Sequence, residues 1–121
     1  SVITSGFKGI NNADALQYTL VDYGFWYTKT IITDLAYIHK GDTVELHIQI
    51  SEIGGKMISD IKNQFIVRSG DLPLAIVRSL KTMRRGEQMR IISPWYTAYG
   101  VEGTSIIKPY SNLLITLQIE Q

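Results

Sequence analysis

The chain contains no cysteine. That absence removes disulfides, a thiolate nucleophile and cysteine-based zinc sites, and it is compatible with a reducing or an oxidising compartment. Long apolar runs are also missing. The longest are a few residues, far short of the roughly 20 that a helix needs to cross a bilayer, so no embedded membrane segment is expected. Charge of one sign is missing too. Twelve Lys and Arg against 11 Asp and Glu leave a formal charge of +1, which gives no general attraction to phosphate backbones or acidic lipid. The one basic cluster, Lys81, Arg84, Arg85 and Arg90, reads as a solvated helix end, and nucleic acid is not an expected partner. His39 and His47 have no acidic or imidazole neighbours at ligand spacing, so no metal site is expected. No Gly-rich phosphate loop, nucleophile elbow or pair of carboxylates at a motif spacing occurs, which leaves hydrolase and transferase chemistry without support.

A chain of 121 residues that is 45% apolar and 19% charged suits one globular domain with one core. It begins at Ser1 without an initiator methionine or a charged-then-apolar leader, which reads as a processed or shortened chain. Residues 1–12 are small and polar and read as an arm or tether. Asn12 is an N-cap candidate. Ala13, Leu16, Leu20 and Val21 would stripe a short helix, whereas Tyr18, Thr19 and Tyr23 fit a strand equally well, and the sequence does not separate the two.

Beyond that point the pattern is clearer. From Phe25 to Thr33 the residues are mostly aromatic or β-branched, the preference of a pleated surface. After Lys40-Gly41-Asp42, a turn signal, Val44, Leu46, Ile48 and Ile50 alternate with Thr43, Glu45, His47 and Gln49, so one face of this strand is apolar. Gly54-Gly55 supplies a hairpin turn, with Lys56 to Ile61 returning and Gln64 to Arg68 extending the sheet. Pro73 opens an amphipathic helix in which Ile76, Val77, Leu80 and Met83 share a face, closed by Lys81, Arg84, Arg85 and Gly86. Gln88 to Ser93 reads as a strand, Pro94 to Gly100 as a compact aromatic turn, Val101 to Ser111 as a loop and Asn112 to Glu120 as a last strand. The fold class is therefore α+β, a curved antiparallel sheet of about five strands covering one principal helix. No internal repeat or low-complexity segment interrupts it.

Particular residues in this order carry a family resemblance. Gly41-Asp42-Thr43-Val44 followed by His47, Gly55-Lys56, Gly70-Asp71-Leu72, Leu80 with Met83, Gly86-Glu87, Ile92-Ser93-Pro94, Ala98-Tyr99-Gly100, Gly103, Ile107, Pro109 and Asn112-Leu113 resemble, in order and spacing, the landmarks of the FKBP-type peptidyl-prolyl isomerases. The resemblance runs from about Gly24 to the C-terminus, so it divides the chain into an arm, 1–23, and a domain, 24–121. Tyr18 and the stretch from Gly24 to Ile32 resemble the lead-in of exported bacterial members, which implies a periplasmic or membrane-tethered protein.

That resemblance implies isomerisation of X-Pro bonds in polypeptides, an aid to folding that needs no cofactor, with proline-containing polypeptides as partners. Position by position, the family's pocket tyrosine falls on Ile48, its phenylalanine and aspartate on Ile58 and Ser59, its floor tryptophan on Ile76 and its last-strand phenylalanine on Ile115. Leu72 and Pro73 take the positions beside the substrate, where Pro73 brings no backbone N–H to hold a carbonyl. Tyr99 alone keeps the family's identity and would be the catalytic hydroxyl. The isoleucines suit a pocket wall and a core equally well, and Trp95 and Tyr96 read as a cap on the end of the sheet or a rim for the peptide. Because so many pocket aromatics are replaced, the resemblance also implies an alternative, a peptide-binding or chaperone module with weak catalysis or none.

Overall fold

The computed structural model describes residues 18–21, 24–68, 70 and 72–121. The arm up to residue 17, Asp22, Tyr23 and the landmark Asp71 lie outside the described residues. Six strands form one sheet: β1 (Thr19–Val21), β2 (Phe25–Ile31), β3 (Thr43–Glu52), β4 (Met57–Ile66), β5 (Gln88–Ser93) and β6 (Leu113–Ile119). Their order across the sheet is β1-β2-β5-β6-β3-β4, and every neighbouring pair is antiparallel. Among the described residues there are also one α-helix, α1 (Leu74–Leu80), and a 3-10 turn at Trp95–Thr97. The strand beyond the expected five is β1. Its three residues pair with Phe25–Tyr27 and so attach part of the segment before residue 24 to the sheet, and Tyr18 beside it is buried. Where the sequence left helix and strand open, residues 19–21 are strand.

The alternation along β3 and β6 decides where the core lies. Val44, Leu46, Ile48 and Ile50 are buried from β3, and Leu113, Ile115, Leu117 and Ile119 from β6. Their register sets Ile48 opposite Leu117 and Ile50 opposite Ile115, so the two apolar rows form one surface. Ala75, Ile76 and Leu80 of α1 join the same cluster, together with Met83, Met89 and Ile91. A helix of seven residues is too short to persist alone in water, so its stability comes from this burial. Ile76 and Ile115 are each 0% exposed, and removing such a side chain from water contributes roughly 1.5–3 kcal/mol. Pro73 starts the helix. Its φ of −57° suits that place, and its carbonyl accepts the N–H groups of Ile76 and Val77.

Two local features shape the far side of the sheet. The hairpin after β3 closes through a hydrogen bond from Gly55 N to Glu52 O, with Gly54 at a φ of 72° that a side chain would disfavour. Just beyond it, Ser51 pairs with Met57 and Ile50 with Ser59, which leaves Ile58 as the extra residue of a bulge. From Ser59 onward β4 runs unbroken to Ile66, with Ser59, Ile61 and Phe65 opposite Ile50, Ile48 and Val44. The return that the sequence divides into two stretches is thus one strand.

Ahead of β5, Glu87 is buried, at 1% exposure, and held by three donors. Its carboxylate accepts the Lys29 ammonium at 2.8 Å and the backbone N–H groups of Arg84 at 2.9 Å and Thr33 at 3.1 Å. Burial pushes the Glu87 carboxyl up, but the Lys29 hydrogen bond and the two backbone donors outweigh it, and the net shift is below the ordinary glutamate range. The Gly86-Glu87 landmark thereby ties β2, the segment after it and the turn before β5 into one corner.

Candidate functional site

The face shared by β3 and β4 meets the loop after the 3-10 turn around a cavity of about 250 Å³. Ile48 and Ile50 of β3 form one side and Ser59, Ile61 and Phe65 of β4 another, with Leu72 ahead of α1 and Tyr99, Thr104, Ile106 and Ile107 from the loop completing it. The volume lies just below the range of about 300–1,000 Å³ usual for small-ligand pockets, which suits one ring-sized group held at the mouth of a cleft. Among the described residues no acidic, basic or imidazole side chain lines it, and the polar side chains there are three hydroxyls, Ser59, Tyr99 and Thr104.

Tyr99 is half-buried at this wall and packs against the core cluster. Burial raises the pKa of its phenol, so the hydroxyl keeps its proton at physiological pH and can donate it in a hydrogen bond. It has no hydrogen-bond partner among the described residues. Its backbone carbonyl accepts the Gly103 N–H at 3.1 Å, and Thr104 N–H donates to Ile107 O at 2.8 Å. These bonds close the loop on itself. Gly103 permits this with a φ of +63°, and a Cβ there would collide with the Ile107 carbonyl oxygen. Thr104 Oγ1 completes the closure by accepting the N–H groups of Ile106 at 3.2 Å and Ile107 at 3.0 Å.

The residues expected at the site divide into two groups. Ile48, Ser59, Leu72 and Tyr99 line the cavity. Ile76 and Ile115 are fully buried in the core cluster and do not line the cavity, and Ile58 packs against that core from the bulge. Pro73 is buried as the cap of α1, where its carbonyl serves the helix. The position therefore brings no N–H donor to a ligand.

Six further lining residues, Ile50, Ile61, Phe65, Thr104, Ile106 and Ile107, were not anticipated as site residues. For three of them a signal was present. Ile50 shares the alternation of Ile48, and Ile61 and Phe65 follow Ser59 at even intervals along one strand face. The loop residues have no periodicity to reveal them. Trp95 and Tyr96 lie away from the cavity. The Trp95 ring meets those of Tyr96 and Tyr110 edge-on at 5.5 and 5.0 Å, and the Tyr96 hydroxyl reaches toward Gly24 O at 3.5 Å, so this group covers the end of the sheet near β2.

A cavity with apolar walls and neutral hydroxyls is unsuited to proton transfer between titrating groups and suited to gripping an apolar ring while holding a carbonyl. Solved structures share this architecture. FkpA from Escherichia coli superposes with a TM-score of 0.77 at 19% identity, over 86% of this chain and 50% of that one. A peptidyl-prolyl cis-trans isomerase from Pseudomonas syringae pv. tomato gives 0.75 at 20% identity, over 86% of this chain and 79% of its own length. AtFKBP13 gives 0.81 at 17% identity, over 88% and 98%. The chain thus spans half the length of FkpA. No curated protein sequence matches it. The family model described as FKBP-type peptidyl-prolyl cis-trans isomerase matches residues 36–120, from the segment ahead of β3 through the end of β6, and the chain belongs to that family.

Proposed function

We propose that this chain catalyses cis-trans isomerisation of X-Pro bonds in polypeptides. The observation that carries the reading is the open apolar cavity beside Tyr99, lined by Ile48, Ile50, Ile61, Phe65 and Leu72. Rotation about an X-Pro bond meets a barrier of about 18–20 kcal/mol because the amide must give up its resonance. No bond is broken and no proton need be exchanged. A site accelerates the rotation by binding the twisted amide better than the planar one. The isoleucines and Phe65 hold the proline ring, water is displaced from the less polar twisted amide, and the Tyr99 hydroxyl donates to a peptide carbonyl. Tyr99 is the proposed catalytic residue, and Ile48, Ser59 and Leu72 contact the substrate directly. Ile76, Ile115, Ile58 and Pro73 act from behind, by fixing the sheet and helix that carry the wall.

A finer reading makes this an exported folding factor, periplasmic or held at a membrane by residues 1–23. It is supported by the resemblance of Tyr18 and of Gly24 to Ile32 to the lead-in of exported members. Pro73 favours a second reading, a chaperone module that holds peptides without turning them over, because that position lacks an N–H donor. Exchange spectroscopy on a panel of proline peptides separates the two. Acceleration by the wild type, reduced about tenfold in Tyr99→Phe by loss of one hydrogen bond, supports isomerase action. Binding with exchange rates at the uncatalysed value across the panel supports the holding module and overturns the enzyme.

A further inference from the structure

Among the three hydroxyls of the cavity, that of Thr104 is held in a particular way. Its oxygen accepts two backbone N–H groups, those of Ile106 at 3.2 Å and Ile107 at 3.0 Å. A hydroxyl has two lone pairs and one proton. Both lone pairs are engaged by the loop, so the remaining capacity of Thr104 is donation, and no acceptor for its proton stands among the described residues. Two donors bound to one oxygen also polarise its O–H and make it a better donor. The loop is pinned by Gly103 N–H on Tyr99 O and by Thr104 N–H on Ile107 O, so the exposed Thr104 side chain is held at the cavity rim with its oxygen fixed by the loop.

We infer that Thr104 is a substrate-binding residue whose hydroxyl donates to a carbonyl of the peptide flanking the proline, supplying from the loop the donor that Pro73 cannot supply from the helix. The inference rests on the isomerase reading of the same cavity. It gives the site two fixed donors, Tyr99 and Thr104, both carried by residues of one self-closed loop. It also makes the site demand a substrate carbonyl within reach of Thr104, so a ligand offering the proline ring without that carbonyl loses this contact.

Substitutions that separate accepting from donating test it. Asp and Asn make the same backbone-accepting turn as Thr. Thr104→Asn accepts from Ile106 and Ile107 and still donates through its amide, whereas ionised Thr104→Asp accepts only. Amide chemical shifts of Ile106 and Ile107 and the melting temperature check that the loop is intact. The same proline peptide is then followed for affinity by titration and for exchange by spectroscopy. Thr104→Ser and Thr104→Asn are expected to stay within about twofold of wild type, and Thr104→Asp to weaken peptide binding about tenfold with the loop unchanged, the loss of one hydrogen bond. Equal affinity for wild type and Thr104→Asp, or an equal loss in Thr104→Asn, overturns the inference while leaving isomerase action standing. If the wild type binds without accelerating exchange, the isomerase reading fails and the affinity series still decides the role of Thr104. If the wild type neither binds nor accelerates, both fail.

Discussion

Two places in this molecule set polar groups among apolar ones, and they resolve the conflict in opposite ways. At the Glu87 corner the carboxylate is buried and met by Lys29 and by the backbone of Thr33 and Arg84. At the cavity the Tyr99 and Thr104 hydroxyls keep a proton that no described residue receives. Burial with both oxygens engaged by donors makes a polar group a structural fastening. Donors left open on an apolar wall suit a partner that arrives from outside. The same contrast explains why the first place bears on stability and the second on recognition.

The comparison can be broken from either side. The largest effect is expected from Glu87→Ala, which leaves two backbone donors without their acceptor and removes the carboxylate from the Lys29 ammonium, which keeps only the Thr82 carbonyl. Loss of a buried charge partner costs about 3–5 kcal/mol, read as a lowered midpoint in chemical unfolding with the cavity chemistry intact in the surviving folded fraction. Next comes Gly103→Ala. A Cβ would enter the space of the Ile107 carbonyl at a φ that disfavours it, with an expected cost of about 1–3 kcal/mol and displaced amide resonances for residues 103–107.

Acid provides a graded version of the first test. The folded-state pKa of Glu87 lies below its ordinary value, so its contribution is complete above the unfolded pKa and is lost as pH falls through the depressed folded value. Unfolding midpoints followed downward from neutral pH should therefore drop across the carboxylate range, and Glu87→Gln should flatten that part of the curve. Tyr99→Phe is expected to leave the melting temperature unchanged and to lower kcat/KM about tenfold, the converse of the Glu87 result. The smallest effect belongs to Asp60→Asn. Asp60 receives a hydrogen bond from the His47 ring at 2.6 Å on the exposed outer face of β3 and β4. That contact lowers the Asp60 pKa, yet solvent screens it, and neither melting temperature nor peptide affinity should move.

How much of this was legible in the sequence follows from which physical rule each residue obeys. Strands β3 and β6 were readable because their apolar residues fall at every second position, and burial follows that rule along both strands. Helix α1 was readable from Pro73 and the spacing of Ile76, Val77 and Leu80. The division of the isoleucines between wall and core was not readable. Ile48 and Ile76 are chemically alike, and only the three-dimensional packing brings the first to the cavity and leaves the second wholly in the core. Ile58 shows a subtler limit. One extra residue opposite the step from Ile50 to Ser51 resets the alternation of β4, and Ser59, Ile61 and Phe65 come to the cavity face. Nothing in the local composition marks that extra residue. Thr104, Ile106 and Ile107 belong to a loop whose shape depends on hydrogen bonds with no repeating interval.

The loop from Tyr99 to Ile107 fastens to itself more than to the sheet, through Gly103 to Tyr99, Thr104 to Ile107 and the Thr104 oxygen. Ile107 anchors this side of the cleft in the core, while Thr104 and Ile106 stand outside it as interchangeable parts. Both can be altered in size or polarity, and the peptides admitted altered with them, while the buried rows of β3, β6 and α1 keep their arrangement.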